Sequence, residues 1–279
     1  MGAALTLAIV AAILLGTSDL FGARATRSGV PAITVTRTAV GTSALMSPLL
    51  LLVADARWIG HDMLLGAVAG IGNLTGLILI YRGYAAARMG IVAPLASVLL
   101  ATVPVAWDMI NGVDTGTTAA VGMALGIVAL VLTSYTPGGT GSVAVGAALG
   151  ISSGVAFGAA FAMMGEISSD AGIAPVVAQR FAALVLLLVI GVARSEPMLA
   201  PRHGRTPAIL AGALGLVAIG ALQAAFQRGA TGPVSVASSQ FATVAVLLSV
   251  VFNRERMRWW QTIGVGTTAV AVALIAAGG

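Results

Sequence analysis

An all-α integral membrane bundle of ten helices is the architecture this chain encodes, and two features say so. Of its 279 residues, 58% are hydrophobic and 8% charged, against about a quarter charged in an ordinary soluble domain. The apolar residues also come in ten successive runs of about 20, the helical length that crosses a hydrocarbon core about 30 Å thick. The runs are continuously apolar and do not alternate at every second position, which excludes the strands of a closed barrel.

The first run, 4 to 22, closes on LLGTSDLFGARATR and holds one charge, Asp19, about a turn from its end. The second, 31 to 53, carries Thr34 and, several residues inside, Arg37. The third, 63 to 83, contains Asn73 and Thr75 with Gly66 and Gly70 spaced by four. Small residues at that spacing let helices approach closely, and Gly122 with Gly126 and Gly154 with Gly158 repeat it in the fifth run, 116 to 134, and the sixth, 143 to 165. The fourth, 90 to 107, has Ser97, and its Pro94 and Pro104 each remove an interior hydrogen bond, so a bend is expected. Arg180 lies inside the seventh, 174 to 193, and Gln223 and Gln227 end the eighth, 207 to 227. Ser239 and Gln240 fall mid-way along the ninth, 233 to 252, and the tenth covers 259 to 277.

Loops of about 4 to 13 residues leave no room for a soluble domain, so function lies among the helices. All 14 cations are Arg, which with the Ala, Gly and Val content points to a GC-rich bacterial genome and the bacterial cytoplasmic (inner) membrane. The net charge of +5 is spread over membrane-flanking loops, so no nucleic-acid partner is implied; the lipid bilayer is the expected partner, for a monomer or homodimer. Without Cys there is no thiolate chemistry, and His61 and His203 fall in loops. With no H-E-x-x-H and no pair of buried carboxylates, neither an enzyme nor a metal or cofactor is expected. MGAALT has no basic region, so the first helix is expected to be retained and not cleaved as a signal.

An internal repeat divides the chain into 1–139 and 140–279. GIVAPLAS (90 to 97) aligns with GPVSVASS (232 to 239), and GMALGIVALVL (122 to 132) with GVGTTAVAVAL (264 to 274), at one ungapped offset. Leu64, Gly66 and Ala67 match Leu210, Gly212 and Ala213, Arg82-Gly83 matches Arg228-Gly229, and Arg37 pairs with Arg180. Five helices per unit is an odd number, so the second unit enters the membrane from the opposite side, giving an inverted-topology repeat suited to alternating access.

On these residues the chain resembles the drug/metabolite transporter superfamily, in its EamA-like branch, over essentially its whole length. LLGTSDLFGARATR is similar to that branch's first-helix W-G-S-S-D-F variant, with Leu15 for Trp and Leu20 for Phe. RMGIVAPLAS and ATGPVSVASS resemble its two fourth-position helix starts, and VVFNRERMRWWQTIGVGTTAVAVALIAAG its closing pattern, with Glu255 at the characteristic acid and Asp114 nearby in the first half. The resemblance implies secondary transport, with export of a small metabolite such as an amino acid or drug-like compound through a central cavity. A lipid-linked sugar flippase and an uptake permease of the same architecture are the alternatives.

Intramembrane ionisable groups are costly and mark cavities or partners. The candidate substrate-binding or coupling residues are Asp19, Arg37, Asn73, Ser97, Arg180, Gln223, Gln227, Ser239 and Gln240. Asp19 is either an interfacial carboxylate or a cavity-mouth group that takes a substrate ammonium or a coupling proton. An arginine can snorkel or hold a carboxylate in a bidentate pair; in the second case Asp19 would be the opposite pole for a zwitterion. The amides stand out because both ends of a buried amide need partners.

Orientation follows from the arginines. One side of the membrane would hold Arg24, Arg27, Arg82, Arg88, Arg194, Arg202, Arg205, Arg254, Arg256 and Arg258, the other Arg57 and Arg228. That bias puts both termini outside the cytoplasm, whereas the resemblance implies cytoplasmic termini.

Overall fold

The computed structural model describes residues 2–86, 89–135, 142–194, 199–253 and 258–278. Arg88, Arg254, Glu255 and Arg256 lie outside the described residues, as do the side chains of Arg27, Tyr81, Tyr84, Pro94 and Arg194. The chain is all-helical among the described residues: α1 (Gly2–Arg27), α2 (Ala32–Met46), α3 (Gly60–Ala86), α4 (Met89–Ile110), α5 (Gly116–Ser134), α6 (Val143–Gly165), α7 (Ala174–Arg194), α8 (Arg202–Phe226), α9 (Thr231–Ser239), α10 (Phe241–Asn253) and α11 (Trp259–Gly278). Nine helical stretches among these residues are long and apolar enough to cross a membrane, and a shorter apolar one covers Leu95–Ile110.

Two expected spans are interrupted. The second passes into a 3-10 segment, Ser47–Leu52, at Pro48, whose missing N–H cannot continue the α ladder. The ninth breaks at Gln240. Before the break, the hydroxyls of Ser238 and Ser239 donate to Ser235 O and Val236 O of their own turn, and the Gln240 N–H reaches back only to Ala237 O. Serine hydroxyls that bond the local backbone in this way compete with the regular ladder. The fourth span remains one helix through Pro94 and Pro104. His61 and His203 are exposed, but they stand in the first turns of α3 and α8, a correction to the loop placement: both helices start earlier than their apolar runs.

The helices pack as pairs. α1 lies on α8 and α3 on α6; α2 lies on α8 and α3 on α7; α4 lies on α6, and α1 on α9 and α10; α5 pairs with α11 and α4 with α9. The glycine pairs sit in these contacts. A Cβ at Gly154 or Gly158 would meet Leu99 or Val103 of α4 at 2.6 Å, and one at Gly122 would meet the Ile275 backbone of α11 at 2.8 Å. One core links α1, α3 to α9 and α11.

The acidic end of the bundle is laced by its loops. Asp62, buried in the first turn of α3, accepts from Ser168 Oγ (2.6 Å) and Ser168 N (3.3 Å). Arg57 N donates to Ala171 O at 3.1 Å, Ile173 N to Asp55 O at 2.9 Å, and the Gln227 amide to Ser168 O and Gly172 O at 3.0 and 2.9 Å. Gly172 makes this approach feasible: its φ is +55°, and a side chain would strike the Asp55 carbonyl.

Candidate functional site

The α3–α7 contact positions the polar residues of the interior. A Cβ at Gly66 would run into the Pro175 backbone and one at Gly70 into the Gln179 carbonyl, while Leu74 clusters with Ala183. Residues 66, 70 and 74 therefore stand level with 175, 179 and 183, so the two helices run parallel and in register.

That register brings Asn73 and Arg180 together in depth. Asn73 is level with residue 182, two residues or about 3 Å from Arg180 along the axis. Asn73 follows Ala69 by four and Arg180 follows Val176 by four, and residues so spaced share a helix face. Ala69 and Val176 belong to the same core cluster, so both polar side chains leave the seam on its inner side. The layer lies about 14 to 17 Å deeper than the Asp62 clamp, nine to eleven residues along α3, near the middle of the bundle.

The hydrogen bonding there is incomplete. Asn73 Nδ2, Arg180 Nε and Gln179 Oε1 are buried with no hydrogen-bond partner. Gln179 is 1% exposed, and its Nε2 reaches only Met164 Sδ, at 3.3 Å. Gln223 donates to the carbonyl of the same Met164 at 3.2 Å. Arg180 forms no ion pair with a described carboxylate. Arg180 is nevertheless partly exposed, while Val176, Val177 and Ala183 along its face are buried. Its side chain is thus flanked along its own helix by buried residues.

The other predicted residues distribute differently. Asp19 is exposed and has no described partner. Its neighbour Ser18 donates to Ala211 O at 2.8 Å, and Ala211 lies 16 residues, about 24 Å, from Gln227 along α8. The backbones of Asp19 and Arg180 therefore stand about 10 Å apart in depth. Arg37 is 3% exposed in α2, beside Thr38, whose hydroxyl accepts from Ala200 N at 2.8 Å, so it belongs to the basic end. Ser97 is half-buried in α4. Ser239 bonds its own helix and Gln227 ties the loops.

Gln240 sits at the break between α9 and α10, in a second polar seam. Its Nε2 donates to Gly126 O (3.2 Å) and Val236 O (3.3 Å), and its Oε1 accepts from Thr268 (3.0 Å) and Thr243 (3.2 Å). Thr133 Oγ1, 3.3 Å away, is an alternative acceptor for the single Thr243 hydroxyl proton, so α5, α9, α10 and α11 are stitched together.

Three polar groups escaped the sequence reading. Gln179 is adjacent to Arg180, and a Gln-Arg dipeptide inside an apolar run was a visible signal. Asp62 and Asp108, 3% and 5% exposed, follow no pattern in the chain that announces burial. Asp108 Oδ2 accepts from the Gly232 N–H at 2.6 Å and caps α9 from α4. A cleft of about 520 Å³ opens between the end of α4 and the starts of α5 and α9. Its two carboxylates are engaged with backbone, since Asp114 accepts from Gly116 N at 2.8 Å.

Residues 144–277 match the EamA-like transporter family, so the chain carries an EamA-like transporter domain there. A solved structure titled "Crystal structure of protein" is similar over 100% of this chain and 95% of its own, at 19% identity and a TM-score of 0.74, a likeness of fold. No curated protein matches the chain.

Proposed function

From a chain carrying an EamA-like transporter domain, we propose a secondary transporter that exports a small metabolite by alternating access between two inverted five-helix halves. What carries this reading is the way helix contacts exchange between the halves. α1 on α8 has its counterpart in α6 on α3, α2 on α8 in α7 on α3, and α4 on α6 in α9 and α10 on α1; α5 with α11 and α4 with α9 exchange with themselves. Such a pattern supports a two-fold relation in which either half can swing against the other. Opening the acidic end would part the bonds of Asp62 and Gln227 to Ser168. Asp19, exposed and unpartnered near the basic end, is the coupling group in this scheme. The Arg bias places the basic end in the cytoplasm and both termini outside.

Untargeted comparison of spent medium tests the proposal, using cells with empty vector, wild type and Asp19→Asn. One metabolite accumulating outside with wild type alone supports export and a need for Asp19. Medium indistinguishable between well-expressed wild type and vector overturns small-metabolite export and redirects attention to lipid-linked substrates or uptake. A C-terminal reporter active only in the periplasm supports the orientation; one active only in the cytoplasm reverses it.

A further inference from the structure

We propose that Arg180 and Asn73 hold the carboxylate end of the transported molecule, in the mid-bundle layer beside the α3–α7 seam. The inference rests on the transporter reading and names the substrate class: small carboxylate-bearing metabolites.

A guanidinium inside an apolar bundle needs a counter-charge, because an unpaired ion in a low-dielectric interior is strongly disfavoured. No described carboxylate serves Arg180. Its Nε is an unused donor, and so is Nδ2 of Asn73, within about 3 Å of it in depth and on the same inner face. Two N–H donors and a cation directed into one enclosed layer fit an oxyanion, and a guanidinium binds a planar carboxylate through paired hydrogen bonds. The nearby Gln179 Oε1, buried and unpartnered, offers an acceptor to a hydroxyl or amine elsewhere on the same molecule.

Snorkelling is the competing account of Arg180, since a helical side chain leans toward its N-terminus. It differs in two respects. Snorkelling needs only a long cation, so Lys would replace Arg without loss, and it gives no preference for a charged ligand. The burial of Nε and of Val176 and Val177 on the N-terminal side speaks against an open route to the interface.

The test is equilibrium binding to the full chain in phosphatidylcholine nanodiscs, titrated with acetate, isovalerate and benzoate and with the matching amides acetamide, isovaleramide and benzamide. At least one carboxylate should bind wild type about tenfold or more tighter than its amide, the mark of a charge-assisted pair. Arg180→Gln should abolish that preference, and Arg180→Lys should not restore it in full. Asn73→Ala should weaken the carboxylate several-fold, and it keeps the test decisive if Arg180→Gln does not fold.

Equal binding of carboxylates and amides, no binding of either by wild type, or a preference that survives Arg180→Gln overturns the proposal. Added phosphatidylglycerol that competes away the carboxylate in wild type would assign the anion to a lipid headgroup and likewise overturn it. Carboxylate preference without metabolite efflux from cells supports this site and counts against transport. Efflux that Arg180→Gln leaves intact, with no carboxylate preference, does the reverse.

Discussion

Two polar seams cross the apolar interior of this bundle, and they differ in one respect. Around Gln240, both ends of the amide are matched: its donors reach Gly126 and Val236, and its acceptor takes Thr243 and Thr268. Around Arg180, Asn73 Nδ2, Arg180 Nε and Gln179 Oε1 are buried with no partner among the described residues. Burial of polar residues is common to both, so burial alone does not mark a site. A satisfied network fixes one arrangement of helices, whereas unmatched groups in an enclosed layer are what a ligand can complete.

The largest effect expected from disturbing either seam is at Gly70. Gly70→Leu would drive a side chain into the Gln179 backbone, which has no flexible end to give way. A loss of about 3 kcal/mol or more follows for such overpacking, seen as aggregated protein on size exclusion. Next comes a pair of isosteric changes measured by thermal unfolding in one detergent. Gln240→Leu removes four hydrogen bonds and unties α9 from α5 and α11, with Thr268 and Thr243 left to Gly264 O and Thr133, at a cost of about 2 kcal/mol. Gln179→Leu deletes an acceptor that is already unmatched and a weak bond to sulfur, so stability should change by less than about 1 kcal/mol. Equal destabilisation by the two would erase the contrast. Between these two lies Asp108. Asp108→Ala removes the cap on α9 that helps hold Gln240 in place, for about 1 kcal/mol, and should lower the unfolding midpoint without touching ligand binding at Arg180.

The ten spans were legible because crossing hydrocarbon is a local requirement: each run had to supply enough apolar residues itself, and the helices fall where the runs do. Legible too were Arg180 and Asn73 as polar residues inside spans, and the glycine pairs as contact surfaces. The interruption at Gln240 was not, since a polar Ser-Ser-Gln run suits a continuous span or a broken one until a neighbouring helix offers Gly126 O and Thr268. Asp62 and Asp108 are hidden for the same reason, their partners lying 106 and 124 residues away.

Composition and apolar run length by themselves thus determined that the chain is a multi-pass helical membrane protein, which stretches span, and which of those stretches carry a charged residue. Only the tertiary structure decided which of those polar residues are already paired. Hydrogen bonds between helices are made by groups distant in sequence, and one register, Gly70 against Gln179, set Asn73 and Arg180 in a single layer where Asn73 Nδ2 and Arg180 Nε have no described partner.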